Sequence, residues 1–342
     1  MSLELTLGLQ RSAYPDFGQV FYMVDTDYRT AAQGWSRSDR TGPLDLYEAR
    51  KAGRGGAQYV YRTGDYTSDA VALQAGIDAQ TDFRGDVLYF TPGNYSIATA
   101  RTVNVPDARW LGPPVSHPSL ARVTITAAIA AAFDVTAAAD RMEFGYLRFV
   151  PLTAETMWDV AAVDGLHVHD CFHDSDGIGA NVLTIFWAPA TSVANVIFDR
   201  NYIVNDAAQG PWINFEGIVD ETRISNFEIF LQAGTWAAAI DFEGVGAVNA
   251  VLGPGTITGT SGAALTSLAT LANKTSDTGH GVVYGIRAST AGPAATALVV
   301  PAGLAAEFSI VDCWRAVDMD AASPNFTSGG AITWESGLPY TG

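Results

Sequence analysis

Apolar and polar residues alternate along most of the chain with a period of two, in short bursts separated by small polar corners. Five bursts stack on one another: residues 139–144, 163–168, 193–198, 219–224 and 247–252, with starts 24, 30, 26 and 28 residues apart. Each is followed by a second short burst, at 147–149, 171–173, 202–204, 227–230 and 256–258. Alternation puts successive side chains on opposite faces of a β-strand. A repeat of this length fits one turn of a coil made of three short strands and their corners. Met142, Leu166, Val196 and Thr222 then form one inward row, and Phe144, Val168, Phe198 and Ile224 another. A single turn cannot bury its inner face, so such a stack draws its stability from its neighbours. Asn195 and Asn249 fall at one corner, where asparagine tolerates left-handed backbone. A parallel sheet of the βαβ kind needs helices between its strands. The pattern predicts none between 100 and 260, which leaves a jelly roll or sandwich as the competing all-β arrangement.

One helix is predicted, near 69–80. Leu73, Gly76, Ile77 and Gln80 recur at helical spacing, and Ser68 or Asp69 supplies the N-cap oxygen. Gly85 breaks the chain, residues 87–90 (VLYF) read as a strand, and Pro92-Gly93-Asn94 reads as a turn. Residues 1–60 differ from the rest, with aromatic residues and a basic cluster of Arg37, Arg40, Arg50, Lys51 and Arg54 between glycine turns. They are expected to form an extended arm or adaptor that docks onto an acidic protein surface, or an irregular cap on the body. The main body is expected over 61–258, and 259–342 as closing strands or a small β cap.

The sequence from Asp69 to Tyr95, a short helix followed by an apolar strand and Pro-Gly-x-Tyr, resembles the opening of pectate-lyase-like proteins. That family includes bacteriophage tailspikes and other virion β-helices. Thr91 stands where a second proline is common, and Gly85 replaces a glycine pair. The resemblance implies an all-β fold, a right-handed parallel β-helix (solenoid) whose open end is capped by the short N-terminal helix behind an extended N-terminal arm. It does not fix an activity, because lyases, hydrolases and non-enzymatic viral proteins share this opening.

Composition narrows the partners. The chain has 342 residues, 48% hydrophobic and 16% charged, enough apolar material for a large core. The formal charge of −17 argues against nucleic acid and anionic membrane as partners. Cys171 and Cys313 are the two cysteines, too few for a disulfide framework. The first residues carry neither a basic start nor a long apolar run, so a soluble protein made in the cytoplasm is expected.

Three sets of residues are candidates for chemistry. His167, His169 and His173 lie within a polar stretch; His167 and His169 share a strand face, and the three could hold a transition metal or decorate a solvated face. Glu216, Asp241 and Glu243 sit about one turn apart and could flank a groove as the acid and base of a glycosidase, or belong to a solvated acidic surface. Trp187, Trp212 and Trp236 could stack on sugar rings in that groove, or pack between subunits or in the core. No G-x-S-x-G, phosphate loop, H-E-x-x-H or C-x-x-C is found, and no motif calls for a cofactor.

The function expected from these features is that of a structural virion protein. It would be a homotrimer on the particle surface, assembled in the host cytoplasm and docked by its N-terminal arm onto the major capsid protein or another virion protein, decorating or cementing the capsid. The alternative is a tailspike or depolymerase that binds and cleaves a host surface polysaccharide.

Overall fold

The computed structural model describes residues 20–25, 60–63, 66–80, 82, 85–129, 131–152, 156–175, 186–188, 192–206, 210–243, 248–260, 263–271, 278–288, 296–299, 305–311 and 332–334. They form three sheets, one of thirteen strands and two of eight. The chain visits the sheets in turn. Strands β3 (Val87–Phe90), β4 (Gly93–Ile97) and β5 (Arg101–Val103) open the first, second and third sheets of one rung. Each then pairs in parallel with its counterpart one rung later, Arg109–Leu111, Val123–Ala127 and Phe133–Val135. The result is the all-β parallel solenoid expected from the repeat. Among the described residues the helical content is one α-helix and the 3-10 turn Pro118–Leu120. No helix among them is long and apolar enough to cross a membrane.

The register reproduces the spacing read from the sequence. On the first sheet Glu143, His167, Ile197, Arg223 and Val251 are successive partners, 24, 30, 26 and 28 residues apart. Phe144, Val168, Phe198, Ile224 and Leu252 stack one residue further on, all buried. Met142, Leu166, Val196 and Thr222 are buried as well. The core is one continuous cluster along the lumen, rich in edge-to-face aromatic pairs such as Trp110 with Phe133 and with Phe144, at 5.6 and 5.2 Å.

Two columns of left-handed residues turn the corners. Asp107, Arg141, Asn195 and Glu221 mark one, and Tyr146, Asp170, Arg200 and Asn226 the other, all with φ between 49° and 61°. Six of them, Asp107, Arg141, Tyr146, Asp170, Asn195 and Arg200, keep their N–H groups in the ladder; Arg141 donates to Asp164 O at 2.7 Å and Asp170 to Asp199 O at 3.0 Å. The backbone bond to the next rung offsets the left-handed conformation, which costs about 1–2 kcal/mol for an L-residue. Asn195 turns its corner in this way, with φ 51°. Asn249 does not; it lies within the strand Val248–Leu252 and its amide donates to Asp220 Oδ1 at 2.7 Å.

The N-terminal end is closed by side chains. Helix α1 (Asp69–Asp78) is N-capped by Ser68, whose hydroxyl accepts from Val71 N. Leu73, Gly76, Ile77 and Gln80, the predicted face, are all buried. Among the described residues no strand precedes the first strands of the second and third sheets, and polar side chains take that place. Asn94 N donates to Asp25 Oδ2 and Ser96 N to Asp69 Oδ2, both at 2.7 Å. Gln74 accepts from Thr102 N at 3.1 Å and donates to Thr102 O at 3.2 Å, bonding β5 as a strand would. An open sheet edge is a template for unwanted pairing, and these three side chains cover it.

Two features differ from the sequence reading. The Pro92-Gly93-Asn94 turn is tighter, because Gly93 and Asn94 already belong to β4 and the corner is Thr91-Pro92. Glycine is required at 93, since a Cβ there would run into the Asp25 carboxylate. In addition, the solenoid begins before the helix. Strands β1 (Val20–Val24) and β2 (Val60–Arg62) extend the first sheet, with β1 pairing on β3. The remainder of 1–60 lies outside the described residues. Described strands after 259, from Ala264–Thr270 to Ile332–Trp334, continue the same sheets.

Candidate functional site

The histidines occupy two different environments. His167 and His169 project from the first sheet with ring centroids 4.7 Å apart. His167 is half-buried, while His169 is buried among polar partners. Its Nδ1 lies 2.8 Å from Asp170 Oδ2 and its Nε2 2.9 Å from Glu143 Oε1. Both partners are acceptors, so both ring nitrogens donate and His169 is an imidazolium. Burial pulls its pKa down, but the hydrogen bonds to Glu143 and Asp170 outweigh this and the pKa is raised. The hydrogen bond from His169 in turn holds Glu143 below the usual carboxylate range, with Arg109 adding to it at 2.8 Å. Burial raises the Asp170 pKa, but the bonds from Arg200 and His169 prevail and lower it. His167 is lowered by burial and by the neighbouring His169. Gly145 makes the arrangement possible, because a Cβ there would lie 2.5 Å from His169 Cε1.

From Arg109 to Asn226 the network spans five successive rungs. Arg200 clamps Asp170 through Nε and Nη2, each at 2.9 Å, and also pairs with Asp199. Ser225 and Asn226 donate to Asp199 Oδ1 at 3.1 and 2.7 Å. Its polar groups are thus bonded to one another across the stack.

His173 is elsewhere. The corner at Asp170 resets the alternation, so His173 points into the lumen, stacked 5.6 Å from Phe149 and tilted against Trp212 at 5.4 Å. Burial pushes its pKa down to about 3, and the ring is neutral. The three histidines are therefore not brought together. Among the described residues, no group of three or more His, Cys, Asp or Glu is arranged to hold a metal.

The carboxylates fall on the third sheet. Its register places Thr102, Asp134, Asp159, Trp187, Asn214, Asp241 and Thr270 in a single file. The residues flanking them, such as Trp158 and Val160 or Ile240 and Phe242, fill the core, so Asp134, Asp159, Asn214 and Asp241 face outward. Burial and the neighbouring Glu243 push Asp241 up to about 7. Asn214 Nδ2 donates to Glu243 Oε2 at 3.2 Å. Asp159 is raised by burial, then by Asp134 and Glu216. Phe215 pairs with Phe242, which sets Glu216 one rung before Glu243, and Asp241 lies beside Glu243. The sequence reading missed Asp134, Asp159 and Asn214. Their signal is the middle residue of an apolar–polar–apolar triplet (FDV, WDV, INF), which becomes visible once the third strand of each rung is located.

Trp212 and Trp236 are interior residues, 1% and 3% exposed, and Trp236 Nε1 donates to Gly210 O at 2.8 Å. Neither ring offers a face to a sugar. The backbone of Trp187 lies in the outward file. Arg37, Arg40, Arg50, Lys51 and Arg54 lie outside the described residues.

No family model matches the sequence, and no curated protein matches it. Among solved structures, ORF18 of Geobacillus virus E2 is 11% identical over 85% of this chain and 75% of that one, with a TM-score of 0.38. The catalytic domain of a GH87 alpha-1,3-glucanase in complex with nigerose is 12% identical over 79% and 67%, with a TM-score of 0.36. Its D1069A variant gives 0.37 over the same shares. Likeness of this degree carries no argument about activity.

Proposed function

We propose that the protein is a structural component of a tailed-bacteriophage particle, a homotrimeric solenoid on the virion surface that docks by its N-terminal arm and decorates or cements the capsid. One observation carries the reading. His169, one of the three histidines that suggested a metal site, is committed with Glu143, Asp170, Arg200 and Asp199 to ties between rungs. Such ties stiffen a rod; they do not converge on a substrate. The thirteen-stranded sheet supports a spacer role, since strands about 4.8 Å apart make a stack roughly 50 Å long. The virion assignment itself rests on the resemblance of Asp69–Tyr95 to the opening of virion β-helices and on the basic cluster of the arm beside an acidic body. Imaging of the purified particle tests it. Many copies on the capsid, each a trimer, are expected; a few copies at the tail would overturn the capsid role.

A second reading has its own observation. Asp241, pushed up to about 7, holds a proton near neutrality beside Glu243. A carboxyl group that keeps its proton near neutrality, with a second carboxyl group at hand, is what a glycosidase uses as its general acid. In this reading the outward file of the third sheet binds a host surface polysaccharide and Asp241 protonates the leaving oxygen. Release of reducing ends from host polysaccharide, abolished in both Asp241→Asn and Glu243→Gln, is the result that would establish it. Absence of release by the wild-type protein would dismiss it.

A further inference from the structure

We infer that the solenoid encloses a water-binding site inside the lumen, at the corner between the second and third sheets, formed by His173, Asn205 and Trp212. The inner files of the second sheet are otherwise mainly apolar there. One runs Ile125, Phe149, His173, Ile203, Ile229 and Ile257. The next inward position along each strand gives Ala127 and Pro151, then Ser175 and Asn205, then Leu231. Polar side chains enter these files together, on two adjacent rungs. Trp212 follows Asn205 around the same corner, and its ring lies 5.4 Å from that of His173. Asn205 belongs to the rung above His173, two residues along its strand, a diagonal of roughly 7–8 Å between backbones that side chains close.

All three side chains are more than nine-tenths buried, at 2%, 2% and 1% exposure for His173, Asn205 and Trp212. Both amide atoms of Asn205 and the Trp212 Nε1 have no hydrogen-bond partner among the described residues, and the ring nitrogens of His173 have none in bonding geometry, although the Asn201 side chain lies near enough to raise the ring's pKa slightly against burial. Ser175, the fourth polar residue at this corner, already donates to Val204 O at 2.6 Å. A buried polar group without a partner costs about 1–3 kcal/mol, so five such atoms in one corner mark a place where a guest binds. Their chemistry selects it. Trp212 Nε1 and Asn205 Nδ2 are donors and repel a cation. The neutral imidazole and the Asn205 carbonyl oxygen present acceptors and disfavour an anion. A small neutral guest that both donates and accepts satisfies them, and water does so at an immobilisation cost of about 0–2 kcal/mol.

The test uses the full chain. A crystal structure at a resolution that shows ordered solvent is expected to place density within hydrogen-bond distance of at least two of the three side chains. Oxygen-17 relaxation dispersion, which counts long-lived internal waters, should lose at least one between wild type and Asn205→Leu. A dry corner in the wild-type crystal, density for a larger molecule, or an unchanged count in the folded variant would overturn the inference. If the variant does not fold, the wild-type density decides.

Discussion

The Tyr95 hydroxyl joins the strand before the helix to the first full rung, and Tyr95→Phe isolates its contribution. The ring is 1% exposed and sits 5.3 Å from Phe90, edge-on, so phenylalanine keeps the packing. What is lost is the oxygen. It accepts from Asp25 N at 3.1 Å, lies 3.2 Å from the Thr91 hydroxyl, and shares its proton between Met23 O at 3.0 Å and Thr91 O at 2.9 Å. The Met23 carbonyl keeps a bond from Thr91 N at 2.9 Å. The variant therefore removes the acceptor of one buried N–H and the donor to one carbonyl. At about 1–3 kcal/mol each, the expected cost is about 3 kcal/mol, or roughly 100-fold in a local opening equilibrium. Stacked rungs contact mainly their neighbours, so the loss should stay at the N-terminal end. Hydrogen exchange read by mass spectrometry should show the amides of residues 20–25 exchanging roughly 100-fold faster, with the rungs after residue 197 unchanged. Acceleration below about threefold, or an equal change along the whole stack, would refute the reasoning.

Two further outcomes are expected. The imidazole of His169 titrates near 6.5 when unfolded and holds its proton to higher pH when folded, so its stabilisation is complete below about 6.5 and lost as pH rises through the folded value. Glu143 and Asp170, lowered in the fold, act in the opposite sense on the acid side. The melting temperature of the wild type should therefore fall as pH rises above about 6.5, and His169→Gln should flatten that slope; an equal slope in both would show that the clamp is not protonated as described. Gln74→Ala removes both bonds to Thr102, a loss of about 1–2 kcal/mol, and bares the edge of β5. Light scattering should then show concentration-dependent association; a variant that stays unassociated would mean the edge is protected by something else.

Much of the fold is written in the spacing of residues. The pairs Phe144–Val168 and Phe198–Ile224 follow from alternation alone, because a one-residue slip would turn every inward side chain outward. The helix face of Leu73, Gly76, Ile77 and Gln80 is equally legible, and so is its start at Ser68. The third strands are harder to see. FDV, WDV and INF are three residues long, too short for a periodicity to stand out, and with them went the file that carries Asp159, Asn214 and Asp241. Corners hide a different kind of information. One left-handed residue at Asp170 shifts the alternation, so His173 faces inward although it lies four residues from the outward-projecting His169.

Rung length, the inward rows and the capping helix can be read along the chain, since they depend on local periodicity and on hydrogen bonds between near neighbours. Only the tertiary structure decided what the polar residues do. Gln74 bonds an edge 28 residues away, His169 is charged because Glu143 from the rung before lies against it, and Asp241 is pushed up by burial beside Glu243. Each effect depends on which rung lies next to which and on the low polarity between them, and charge and desolvation act through space rather than along the chain.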